Sequence, residues 1–137
     1  MRKITFKSLL RPILLAAGVG TAINAVLYYI GTMSGIISLQ IPVTPDGQAF
    51  SLPPVIVASI VPVFLAGLVY FALSKWVAAY HKWFSILAIL LLLLSFSSPF
   101  SIPNVPLSMA LLLNVMHLVV AGLVLYFFTQ FNKKHTS

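Results

Sequence analysis

The chain has 137 residues, eight Lys or Arg against a single acid, a net charge of +7, 61% hydrophobic residues and only 7% charged ones. Soluble domains run about 45–50% apolar and about 25% charged, and a fold this small has too much surface for its volume to hide such an excess. The composition excludes a water-soluble domain and makes the chain an integral membrane protein, with the lipid bilayer as its first partner.

The basic residues lie at the ends of apolar runs, where topology signals and lipid headgroup contacts are found, so no nucleic acid partner is expected. There is no cysteine, which excludes a disulfide framework, a thiol relay and a Cys-based metal site.

Arg2, Lys3, Lys7 and Arg11 open the chain. The apolar run that follows, from Pro12 to about Met33, is far longer than a signal-peptide core of about 7–15 residues. It reads as a retained first span, preceded by a short amphipathic stretch at the interface. Pro12 suits the first turn of that helix, where its missing N–H is not needed. A polar-leaning connection covers 34–53. Ile36, Ile37, Leu39 and Ile41 are β-prone, and Pro45-Asp46-Gly47 is a turn signal: Pro presets φ, Asp bonds its own backbone, Gly takes positive φ. A small extracytoplasmic β-hairpin over about 36–52 is expected.

The second span covers about 54–78, with Pro62 inside it to kink the helix or free a carbonyl. Trp76, Tyr80 and Trp83 form an aromatic belt at its far interface, and His81-Lys82 make a tight turn. The third span, about 83–98, holds the run Leu90 to Leu94 and is close to the lower limit for crossing a bilayer. A loop stiffened by Pro99, Pro103 and Pro106 leads to the fourth span, about 107–130, and a basic tail. The fold class is therefore an all-α membrane protein: a single domain, 1–137, built as a four-transmembrane-helix up-down bundle with the hairpin between its first two helices. Every Lys and Arg then falls on one side. The positive-inside rule places both termini in the cytoplasm of a plasma (bacterial inner) membrane.

At about 100° per residue each span shows one small or polar face. Ala17, Thr21, Asn24, Tyr28, Gly31 and Gly35 share it in the first; Ser59, Pro62, Ala66, Tyr70 and Ser74 in the second; Ser85, Ala88, Leu92 and Ser95 in the third; Ala110, Asn114, His117, Ala121 and Phe128 in the fourth. Lipid supplies no hydrophobic drive between helices, so small residues allow close approach and polar ones bond across. Asn24 and His117 lie at similar depth near the midplane, and spans one and four neighbour each other in an up-down bundle. Asn24, Asn114 and His117 are expected to face the interior, with Asn24 in reach of His117. With Tyr28 and Ser59 they form a polar cluster, read either as a clip fixing helix register or as a ligand site.

The stretch Met116-His117-Leu118-Val119-Val120-Ala121-Gly122 after a Pro-rich loop, Asn24 in the first span and Leu52 to Val57 leading into the second resemble a family of small bacterial four-helix membrane proteins of unknown function. The resemblance implies four spans and an external segment after the first; it supplies no activity, cofactor or site residue.

No carboxylate lies within a span, which separates this chain from the small four-helix multidrug exporters. One acid excludes paired-carboxylate catalysis and hard-metal cages, and no Ser–His–Asp set is visible. The chain is expected to be non-enzymatic, with no cofactor and no metal. It reads as an interaction, accessory or sensor protein with a possible protein partner or homo-oligomer. The alternative is a carrier or binder of a small apolar molecule or lipid, in a pocket lined by His117 and Asn24.

Overall fold

The computed structural model describes residues 4–136. Four helices, α1 (Phe6–Met33), α2 (Leu52–Trp76), α3 (Tyr80–Ser95) and α4 (Leu107–Thr136), form an up-down bundle, and each is long and apolar enough to cross a membrane once α3 is extended through residue 101. The helices follow one another round a ring, α1 against α2 and α4, and α3 against α2 and α4. The protein is thus a multi-pass membrane protein of four antiparallel neighbours.

α1 begins at Phe6, ahead of the Pro12 start read from the sequence. Thr5 and Ser8 form a reciprocal capping box, each side chain satisfying the other's free N–H. Pro12 therefore lies inside the helix and is buried. α1 and α4 run antiparallel in register: Gly31 meets Leu112, Gly20 meets Val120 and Leu123, and Asn24 reaches the Met116 carbonyl. A Cβ on Gly31 would lie 2.6 Å from Leu112 and 2.7 Å from Ile37, so this glycine lets a helix and a loop close over it. On the other side of α1, Gly67 of α2 lets Ile13 pack onto bare backbone.

The expected β-hairpin is not formed. Among the described residues there is no strand over 36–52, only an isolated antiparallel bridge between Pro42 and Ala49. The turn itself is present, with Gly47 at φ +82° donating to the Thr44 carbonyl. The strands fail for a packing reason. Ile37 is 3% exposed and packs with Met109, Leu113 and Met116, while Val43 and Phe50 join the same cluster. Ile37, Val43 and Phe50 plug the end of the bundle instead of pairing in a ladder, and Pro42 has no N–H to extend one.

The opposite end gathers the positive charge. Lys75 at the end of α2 donates to the Ile4 carbonyl at 3.1 Å, and Lys7, Arg11, Lys82, Lys133 and Lys134 lie on helix segments that meet there. Arg2 and Lys3, assigned to the same side from the sequence, lie outside the described residues. Trp76 and Trp83 are exposed as an aromatic belt requires. Tyr80 is not part of that belt. His81 and Lys82 do not form the turn, which falls at 77–79; they belong to the first turn of α3.

Candidate functional site

α3 differs from its neighbours. Its one buried residue is Phe84, near its basic end. That end is anchored in an aromatic and polar cluster: Phe84 stacks on Phe128 and meets Tyr70 edge-on, the Tyr80 hydroxyl donates to Asn132 Oδ1 at 2.9 Å, and His81 bridges Tyr70 and Thr129 through its two ring nitrogens. The far end is tied by Asn114, whose Nδ2 donates to the Phe96 carbonyl at 3.3 Å, and by buried Pro99. Between these anchors α3 stands off, leaving a cavity of about 470 Å³ walled by α2, α3 and α4.

Most of its lining is apolar, including Val55, Ala66, Ala88, Leu91, Leu92, Met116, Val120, Ala121 and Val124; the polar side chains are Asn24, Ser59, Ser95, Ser98 and His117. Among the described residues no Asp, Glu, Lys or Arg lines it. Ligand pockets run about 300–1,000 Å³ with mostly apolar walls and a few convergent polar groups, and this cavity falls within that description.

The polar wall can be worked out atom by atom. The Ser59 hydroxyl donates to the Val55 carbonyl at 2.8 Å, so toward Asn24 its oxygen accepts. Asn24 Nδ2 gives one hydrogen to Ser59 at 2.9 Å and the other to the Met116 carbonyl at 3.3 Å. A backbone carbonyl only accepts, which fixes the amide orientation. Asn24 Oδ1 is left over: it is buried and has no partner among the described residues. His117 Nδ1 sits 2.8 Å from the Leu113 carbonyl, so Nδ1 carries the hydrogen, and in the neutral ring Nε2 is an acceptor. Pro62 has no N–H to give the Ala58 carbonyl one turn earlier, and both residues lie on the cavity wall. Asn24 Oδ1 is thus a buried acceptor with no donor among the described residues, on the same wall as the His117 ring.

The residues singled out in sequence therefore separate. Asn24, Ser59 and His117 share the cavity wall, although among the described residues no hydrogen bond joins Asn24 to His117 directly. Asn114 is spent on α3, and its Oδ1 is also buried without a partner. Tyr28 lies one contact away, edge-on to Phe50 at 5.7 Å, and Phe50 is itself on the wall. Ala88, Leu92, Ser95 and Ala121 of the small faces also reach the cavity. Sequence reasoning missed the cluster that holds α3: Tyr70, Tyr80, His81, Thr129 and Asn132. Their signal was present as polar residues within about two turns of a helix end, but only the ring arrangement brings them together. No group of His, Asp or Glu able to hold a metal occurs among the described residues.

A membrane-embedded, four-helix architecture with an apolar cavity at mid-depth defines the class. The chain belongs to a family of unknown function, DUF6069, whose model matches residues 5–134. No curated protein and no solved structure matches it.

Proposed function

We propose that this protein binds a neutral, largely apolar molecule carrying one hydrogen-bond donor, such as a long-chain alcohol, a phenol or a protonated fatty acid, in the cavity between α2, α3 and α4. The observation that carries the reading is the unmatched, buried Asn24 Oδ1 on an uncharged, mostly apolar wall. A buried acceptor without a donor costs about 1–3 kcal/mol, and a ligand hydroxyl would recover that cost, whereas a charged headgroup would meet no counter-charge. The accessory or sensor reading does not need such a cavity, which is why binding is preferred over it. The reading is non-enzymatic, since the only carboxylate side chain, Asp46, lies in the loop outside the bundle. The basic end faces the cytoplasm of a plasma membrane in this proposal, supported by the gathering of Lys and Arg there.

The test is native mass spectrometry of the full chain titrated with 1-hexadecanol and, separately, with hexadecyl methyl ether, which has the chain but no donor. The alcohol is expected to bind about fivefold tighter, the worth of roughly one hydrogen bond in a membrane. Filling the cavity with Ala88→Leu should abolish binding of both. Equal affinity for alcohol and ether would remove the donor requirement, and unchanged binding to Ala88→Leu would remove the site.

A further inference from the structure

A second hollow, of about 420 Å³, lies between α1 and α4 at the basic end, on the other side of the bundle from the first. Its walls follow the antiparallel register of the two helices. On α1 they are Ser8, Arg11, Pro12 and Leu15, one face at i, i+3, i+4 and i+7. On α4 they are Tyr126, Phe127, Gln130, Phe131, Lys134 and His135. At 1.5 Å per residue the groove descends roughly 10 Å from Ser8 to Leu15. Its composition changes along that descent. The outer rim carries Arg11, Lys134, His135 and the Gln130 amide; the inner part carries Leu15, Phe127 and the ring of Tyr126.

A guanidinium and an ammonium line this hollow together, and among the described residues no acidic side chain lines it. Asp46, the only acidic side chain, sits in the loop at the opposite end of the bundle. A guanidinium fork and an ammonium on one groove suit the oxygens of a phosphate. The His135 ring lies against Phe131, with centroids 3.9 Å apart, and its Nδ1 is bonded to the Phe131 carbonyl at 3.1 Å. That contact shapes the rim beside Arg11 and Lys134. A cationic rim above an apolar slot reproduces, in order of depth, the phosphate and acyl chain of a phospholipid. Basic pockets between transmembrane helices are a known means of holding anionic headgroups.

We infer that the α1–α4 groove is a binding site for the phosphodiester headgroup of an anionic glycerophospholipid, with Arg11 and Lys134 on the phosphate and Leu15 and Phe127 along the start of an acyl chain. The inference is independent of the ligand proposed for the α2–α3–α4 cavity, which has no charged wall.

The experiment uses the full chain in zwitterionic micelles, titrated by native mass spectrometry with dioleoylphosphatidylglycerol, dioleoylphosphatidylcholine and inorganic phosphate. Phosphatidylglycerol is expected to bind in preference to phosphatidylcholine. The double variant Arg11→Gln/Lys134→Gln should weaken it by roughly thirtyfold, the combined effect of two interfacial charges. Arg11→Lys/Lys134→Arg, which keeps both charges, should stay within about threefold of the native chain. Lys82→Gln, at the same end on α3, should change binding less than about twofold, because general attraction falls off within a Debye length while a site does not share its charge. Equal weakening by Lys82→Gln, loss in both double variants or in neither, or equal binding of phosphatidylcholine would each overturn the site. Displacement of the lipid by millimolar inorganic phosphate would overturn its assignment to a headgroup.

Discussion

α1 and α3 occupy equivalent places in the ring, each flanking the α2–α4 pair, yet they are held in opposite ways. α1 is packed along its length: Leu9, Ile13, Ala16, Ala17, Gly20, Asn24 and Gly31 are buried, and Ile13 sits on the bare backbone of Gly67. α3 buries only Phe84 and is fixed near its two ends. The cause is side-chain size. α1 and its partners place small residues at successive turns of their contact, so backbones approach and dispersion contacts accumulate. α3 offers Leu90 to Leu94, whose bulk suits lipid, and only Ala88 and Ser95 as small positions facing the cavity. A helix held at its ends has a middle that can enclose something, and the cavity is there.

Four substitutions probe this contrast, and a titration of the outer loop follows them. Phe84→Ala removes the one buried anchor of α3 and should destabilise the protein by about 3–5 kcal/mol, read by thermal unfolding in micelles; a loss below 1 kcal/mol would mean that α3 is held elsewhere. Gly67→Leu forces a side chain into Ile13 across the α1–α2 seam and should cost about 1–3 kcal/mol. The same change of size on the loose side, Ala88→Leu, should leave the unfolding temperature within about 2 °C of the native chain. Equal damage by the two would erase the distinction between the tight and the open half.

Asn24→Ala removes both bonds that tie α1 to α2 and α4 at mid-depth. Bonds of this kind are worth about 0.6–2 kcal/mol, so a modest fall in stability is expected, together with loss of the preference for 1-hexadecanol over its ether. A fall in stability with the preference intact would make Asn24 a clip and not a ligand group.

The smallest effect lies in the outer loop. The Thr44 hydroxyl, the loop backbone and Gln48 hold the Asp46 carboxyl below its ordinary value of 3.8. A depressed carboxylate contributes stability above its unfolded value and loses it as pH falls through the folded one. The loop is therefore expected to loosen only in acid, below pH 3.8, and an NMR titration of Asp46 checks this. A midpoint at or above 3.8 would contradict the bonding seen in the loop.

Much of this was legible from residue order. Four apolar runs of bilayer length, one small or polar face on each, and basic residues confined to one end require a bundle whatever its details. Lipid forbids unsatisfied backbone and gives helices no other reason to pair. Asn24, Ser59 and His117 were identifiable because polar groups at mid-depth must face protein or a cavity. The loop strands were misjudged because local β-propensity favours strands in Ile36 to Ile41, while the exposed apolar end of the bundle offered Ile37 more burial than a two-stranded pairing could. Tyr80 and His81 were misplaced because their partners, Asn132 for Tyr80 and Tyr70 and Thr129 for His81, lie on other helices.

The sequence by itself determined the class of molecule, the number of spans and the depth of each polar group, because hydrophobicity and helical period act within a segment. Only the tertiary structure decided which polar atoms are spent and which are left over. Asn24 Oδ1 is surplus because Ser59 and the Met116 carbonyl, brought from two other helices, take both hydrogens of its amide. The open space beside them exists because α3 is anchored at its ends, and that depends on how four helices close into a ring.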